Sequence, residues 1–364
     1  MASVLLLGPE DMNGLITMKE AVDAMERGYL DWAKNRELGA LRRRVHSVAN
    51  ARVTVHQGAP NTAGVTGILT HCEHVMIHDN GIQTYQTRGR PVRVMFDGDN
   101  AELKCITVGE VRVAELPDAN NVVNVQTACS TAVGIKHLAR QSSKVVGVLG
   151  SRAQAECQLL ATKAVVPGVE EARVYSPNPE NRTKFAAKMT ELLDMEVRPV
   201  ATNREAVQGV DILLSVTNSN VPTFDGDWLE PGVHLCSIVS SNIGLMRGGF
   251  IQMKRREVDD KTLQRCDIIV CNSKRQEILD EPGVLWDPVQ QGVITWDDVW
   301  DLGEVLAGQV PGRTSEEQIS FYKNNAFWGV GDQVIGRLLY DRAVEKGLGT
   351  ELPIDGAEYR ESDA

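Results

Sequence analysis

No run of apolar residues in this 364-residue chain approaches the roughly 18–20 that a membrane-spanning helix requires, so no membrane partner is expected. The N-terminal apolar run, Val4–Leu7, has no basic stretch ahead of it, which argues against a secretory signal. Positive charge is in deficit: 38 Lys and Arg face 49 Asp and Glu, a net charge of −11. That balance argues against a nucleic-acid partner or an anionic membrane surface, and the short Arg42-Arg43-Arg44 cluster does not overturn it. Paired-cysteine motifs are missing too. Seven scattered cysteines with no CxxC pair suit reduced thiols and a cytoplasmic location. There is no internal repeat, no low-complexity run, no heptad array, and no lysine between Lys34 and Lys104.

What is present is concentrated at residues 145–178. An apolar strand-like run, Val145–Leu149, ends in Gly150; a helical segment from Ala153 to Ala164 follows, and a second strand, Ala172–Tyr175, closes a βαβ unit. A tight turn at a strand end followed by free N–H groups at a helix start is what a nucleotide pyrophosphate requires. Read from Gly150, the fingerprint G-x-G-x-x-G/A becomes Gly150-Ser151-Arg152-Ala153-Gln154-Ala155, with arginine in the place of the second glycine. That arginine either closes the site or adds a charge-assisted contact to phosphate. The tip of the second strand favours the latter. It carries no acid for a ribose 2′-hydroxyl but reads Ser176-Pro-Asn178, with Arg182 one turn on, a set suited to a 2′-phosphate. NADP is therefore expected over NAD.

The remaining pattern predicts an amphipathic helix over 12–38 and strands at 41–57, 64–77, 82–87, 91–97 and 103–109. A helix over 123–141 then leads into the Gly150 unit. Strands near 172–176, 197–200, 211–216, 233–239 and 267–271 alternate with polar or helical pieces, and Gly331–Gly347 is helical. This βαβ rhythm implies a doubly wound, mostly parallel sheet.

Together the pieces resemble the ornithine cyclodeaminase/mu-crystallin family over roughly residues 15–352. The resemblance is carried by Gln126-Thr-Ala-Cys-Ser-Thr-Ala, the Gly147–Ala155 turn, Asp211–Pro222 with Trp228–Gly232, Arg256-Glu-Val-Asp259, and Tyr340–Leu352. It implies a Rossmann-type dinucleotide-binding domain at 125–318. It also implies a second, smaller α+β substrate and dimerisation domain, from 1–124 plus 319–364, in a homodimer. The chemistry implied is hydride transfer between a nicotinamide and the carbon of an amine or imine.

Departures from the family pattern shape the expected site. The arginine that holds a substrate carboxylate falls at Arg42, Arg43 or Arg44, with Arg44 preferred. A second such arginine is replaced by Gln126. The family's lysine falls near Thr66 and Gly67, and an aspartate after 233–239 becomes Asn242. Losing a proton donor costs on the order of 10²–10⁴ in rate, and His71, in His71-Cys72-Glu73-His74, is the nearest replacement. Zinc at this cluster is not expected, because adjacent strand residues point to opposite faces. Tyr85 and Lys104 are weaker donors.

The expected enzyme is thus an NADP-preferring oxidoreductase acting on a C–N bond, an imine reductase or amine/amino-acid dehydrogenase. Thr127, Gly150, Ser151, Arg152, Ala153 and Gln154 hold the pyrophosphate side of the cofactor. Ser176, Asn178 and Arg182 take the 2′-phosphate, and Thr217 and Asn218 border the nicotinamide ribose. Arg44, Gln126 and Trp328 face the substrate, with His71 and Asn242 in catalytic roles. With one anionic anchor in place of two, a less negatively charged substrate or a displaced carboxylate is expected. A mu-crystallin-like binding protein with little turnover, or a cyclodeaminase releasing ammonia, are the alternatives.

Overall fold

The computed structural model describes residues 3–47, 51–79, 83–118, 122–239, 243–249 and 251–354. The expected single helix over 12–38 is four elements: a short helix Pro9–Met12, a strand Asn13–Ile16, a helix Met18–Lys34 and a 3-10 turn Arg36–Leu38. Gly14 at φ +67° takes the chain out of helical space. Thr17 then starts the long helix afresh, its side chain capping Glu20 N while the Glu20 carboxylate reaches back to Thr17 N. The expected strand over 41–57 is a hairpin, Arg43–His46 paired antiparallel with Ala51–Gly58. No long strand could run straight through, because Ser47 N bonds Ala51 O and reverses the chain.

The first sheet has eight strands. Its main path runs Thr350–Pro353, Ser3–Leu7, Leu103–Val108, Val92–Asp97, Val65–Ile77, Ala51–Gly58 and Arg43–His46, and Gln83–Arg88 pairs with the long central strand Val65–Ile77. The amphipathic pattern at its far edge is inverted. Arg52, Thr54 and His56 are buried, while Val53 on the same strand is 42% exposed and Val45 on the next is 71% exposed.

The second sheet is wholly parallel, ordered Glu196–Pro199, Glu171–Tyr175, Val145–Leu149, Ile212–Ser215, His234–Ser237, Ser320–Lys323, Ile268–Cys271 and Val299–Asp301. Ser320–Lys323, beyond the boundary expected at 318, is its sixth strand. Every residue of its four consecutive members from Ile212–Ser215 to Ile268–Cys271 is buried, as a sheet covered on both faces requires. This is the Rossmann-type doubly wound α/β sheet. Its strand order reverses between Val145–Leu149 and Ile212–Ser215, and ligands bind such sheets outside the carboxyl ends of the strands at that switch.

Helices join the two sheets. Val330–Lys346 packs on Ala51–Gly58 and Val65–Ile77, Val122–Leu138 packs on His234–Ser237 and Ser320–Lys323, and Met18–Lys34 packs on both helices. A polar knot locks these layers together: Tyr29 and Tyr322 hydroxyls are 3.0 Å apart, and Asn272 Nδ2 lies 2.6–2.8 Å from Tyr29, Ser130 and Tyr322. Among the described residues no helix is long and apolar enough to cross a membrane.

Candidate active site

The inward-facing polar residues of the edge strands meet in register. Arg44 sits opposite Thr54, which sits opposite His71, and Arg52 sits opposite Glu73. Since alternate residues of a strand share a face, Arg42, Arg44, Arg52, Thr54, His56, His71 and Glu73 all line one cavity of about 120 Å³. Thr127, Gln154 and Ile238, at the carboxyl edge of the parallel sheet, and the segment Asn325–Trp328 form its other wall.

The cavity is cationic. Arg42 Nη2 lies 2.5 Å from Asp280 Oδ2, and Arg44 Nη1 3.0 Å from Asp280 Oδ1. Burial pushes the Asp280 carboxyl up, but Arg42 and Arg44 outweigh it and hold it below its ordinary value. Arg52 Nε donates to Glu73 Oε2 at 3.0 Å, and His71 Nε2 lies 3.5 Å from Glu73 Oε1. Three guanidinium groups thus line the cavity beside two carboxylates, and the guanidinium is the donor type that takes a ligand carboxylate. Trp328 closes the cavity: its Nε1 donates to Asn325 O at 2.5 Å, and its ring is 4.2 Å from that of His56.

The dinucleotide turn borders this cavity. Gly150 is at φ +119°, and a Cβ there would lie 2.6 Å from Val216 O, so only glycine fits. Arg152 is the exposed N-cap residue of the helix Ala153–Val165 and makes no side-chain cap bond. Among the described residues, Gln154 Nε2 is buried without a hydrogen-bond partner. A cradle that excludes a side chain, a helix start uncapped by its own side chain and an orphaned amide fit a dinucleotide phosphate. Beside it Ser151 Oγ and Ser176 Oγ are 2.8 Å apart, and Arg182 Nη1 donates to Ser176 O at 2.8 Å. Asn178 Oδ1 is committed to capping the next helix, accepting from Asn181 N at 3.0 Å.

Thr217 is tied back by a residue that sequence reasoning did not single out. Glu257 Oε1 accepts from Thr217 N and Oγ1 at 2.6 and 2.7 Å, and Oε2 from Ser237 Oγ and Val239 N at 2.7 and 3.0 Å. Burial raises the Glu257 carboxyl, and these donors oppose the rise. Glu257 thus fixes the carboxyl ends of two central strands together. Asn218 beside it is exposed.

Of the expected site residues, the cavity brings together Arg44, His71, Thr127, Gln154 and Trp328. Gln126 is not among its lining residues; its amide is turned to Asp332. Asn242 lies outside the described residues. Lys104 is paired with Asp97 at 2.7 Å instead of lining the cavity. Arg52, His56 and Glu73 were missed as site residues. Their signal is polar residues at every second position, Arg52-x-Thr54-x-His56 and His71-x-Glu73, within strands whose intervening positions include Val53, Val55 and the exposed Cys72. Arg42, Arg44 and Arg52 all line the cavity, so the anchor expected at Arg44 stands within a cluster of three arginines.

The chain matches the ornithine cyclodeaminase/mu-crystallin family over residues 104–347. It is 27% identical over 238 residues to a Δ1-pyrroline-2-carboxylate reductase of Bacillus cereus, covering 65% of this chain and 69% of that one. The Δ1-pyrroline-2-carboxylate reductase of Thermococcus litoralis, solved with NADH and L-proline, superposes with a TM-score of 0.78 at 25% identity over 96% of this chain and 100% of that one. An archaeal alanine dehydrogenase dimer with bound NAD shares the fold at a TM-score of 0.79 and 22% identity, covering 97% of this chain and 100% of that one.

Proposed function

Because this chain belongs to the ornithine cyclodeaminase/mu-crystallin family, we propose that it is a nicotinamide-dependent imine reductase acting on a small imino acid. It is an oxidoreductase of the C–N bond, and a bound nicotinamide dinucleotide supplies or takes the hydride. The observation that carries the reading is the cavity itself. Its guanidinium wall (Arg42, Arg44, Arg52) faces Thr127, Gln154 and Ile238 at the carboxyl edge of the parallel sheet, where ligands bind such sheets.

In this reading the arginines hold a substrate carboxylate and Trp328 packs on its carbon skeleton. Gln154 and the Gly150 turn hold the pyrophosphate, and Ser176 and Arg182 favour NADP. A homodimer is supported by the exposed valines of the edge strands, Val45 and Val53. A cytoplasmic location suits seven cysteines with no disulfide among them. Steady-state kinetics test the carboxylate assignment: Arg44→Ala should raise KM for a cyclic imino acid about tenfold, the loss of roughly one charge-assisted contact. An unchanged KM would place the carboxylate elsewhere.

A further inference from the structure

Reduction of a C=N bond needs a group at the nitrogen that can give and take a proton. No lysine serves here. The strand position nearest the expected one is Gly67, where even a Cβ would lie 2.0 Å from Val94 O.

The same close packing that excludes a side chain at Gly67 brings another pair together. A Cβ on Gly58 would lie 2.2 Å from the Gly329 carbonyl carbon, so the start of the helix Val330–Lys346 rests directly on the strand Ala51–Gly58. Two residues before Gly58 on the same face is His56, 1% exposed. Its Nδ1 lies 3.1 Å from Asp332 Oδ2 on that helix, within ion-pair range though not aligned as a hydrogen bond, and among the described residues its Nε2 is buried with no hydrogen-bond partner. His56 lines the cavity and Asp332 does not. Asp332 is itself fixed, accepting from Gly329 N at 2.7 Å on Oδ2 and from Gln126 Nε2 on Oδ1. A carboxylate that orients one imidazole nitrogen leaves the other to act on a ligand.

We propose that His56 is the catalytic acid–base of this site and that Asp332 is its positioning residue. The proposal rests on the imine-reductase reading above. In reduction, hydride delivered to the imine carbon pushes the C=N π electrons onto nitrogen. That nitrogen takes the proton from His56 Nε2, and His56 keeps its Nδ1 proton toward Asp332 until solvent returns the other. In oxidation the same nitrogen lone pair on His56 accepts the amine proton. His71 is less suited, since its Nε2 is directed at Glu73, which Arg52 already neutralises.

The groups facing His56 define its pH behaviour. Burial lowers its pKa below the ordinary histidine value, Asp332 opposes that shift, and Arg42 and Arg44 reinforce it; the His71 ring lies 5.5 Å away, edge-on. Burial raises the Asp332 carboxyl, but His56 and Arg93 hold it below its usual range. The donor form of His56 is thus populated only at acid pH, so kcat/KM for reduction falls as pH rises through that pKa.

The test is kcat/KM for NAD(P)H-dependent reduction of a cyclic imino acid between pH 5 and 9, with nucleotide binding and thermal unfolding measured on the same samples. His56→Gln should cut kcat by 10²-fold or more, abolish the falling limb, and leave nucleotide affinity within about threefold. Asp332→Asn should keep the limb but move it to lower pH, since it removes the group that raises the pKa of His56. His71→Gln should cost tenfold or less. A folded His56→Gln protein that keeps its rate and limb overturns the relay and leaves the imine-reductase reading intact. Wild-type protein that binds nucleotide yet reduces no C=N compound overturns both.

Discussion

Gln126 Nε2 donates a hydrogen bond to Oδ1 of Asp332, joining the helix Val122–Leu138 to the first turn of Val330–Lys346. The position where the family pattern has a carboxylate-binding arginine is therefore spent on holding another residue in place. Both side chains are buried, Gln126 at 1% exposure and Asp332 at 0%. Truncating Gln126 strips a buried carboxylate of a donor, a loss of about 1–3 kcal/mol. Gln126→Ala should lower the urea midpoint accordingly, with substrate KM changed far less than by Arg44→Ala. An unchanged midpoint would mean that Asp332 is satisfied without it.

Nucleotide choice depends on the far end of the cofactor turn. Arg182 donates to the Ser176 carbonyl and lies 5.6 Å from the centre of the Tyr175 ring, so its charge is held at the strand tip that the proposed NADP reading assigns to a ribose 2′-phosphate. Arg182→Ala should weaken NADPH binding tenfold or more and NADH binding by less than twofold, read by nicotinamide fluorescence. Equal losses for both nucleotides would remove the basis for an NADP preference.

Outward-facing valines at the sheet edge predict self-association. Val45 and Val53 are paired across the hairpin and are both exposed, an apolar edge that soluble proteins usually cover. Sedimentation should show a dimer for the wild type and a monomer for Val45→Lys/Val53→Lys. A wild-type monomer would overturn the assignment.

Helix–helix docking carries a pH signature. Glu26 accepts from His137 Nε2 and Lys136 Nζ, both at 2.6 Å, and these partners, His137 foremost, lower its pKa to about 2. A depressed carboxyl stabilises the fold above its unfolded pKa, and that contribution is lost as pH falls toward 2. The pair is partly solvated, so Glu26→Gln should cost roughly 1 kcal/mol at pH 7. The difference should shrink between about pH 5 and pH 2, as followed by urea unfolding.

The parallel sheet was legible because its strands are short apolar runs separated by glycine and polar turns; Val145–Leu149 and Ile212–Ser215 stand where the pattern put them. The helix over 12–38 failed because helical spacing continues through Gly14, whose φ of +67° only the fold reveals. The site was half legible. Arg44 and His71 stand out by residue type, but Arg52 and His56 are set apart only by sharing a buried face with them. His56 gains its meaning from Asp332, 276 residues further along the chain, through backbone contact at Gly58 and Gly329 that no local pattern reports.

The most direct measurement is the stoichiometry of NADPH consumed and amine formed when purified protein meets a cyclic imino acid such as a pyrroline carboxylate. The account predicts one NADPH oxidised per amine produced, with no ammonia released. Tight NADPH binding without oxidation would make the chain a binding protein. Ammonia released from a diamino acid with no net change in nicotinamide would make it a cyclodeaminase, and either result would contradict the account.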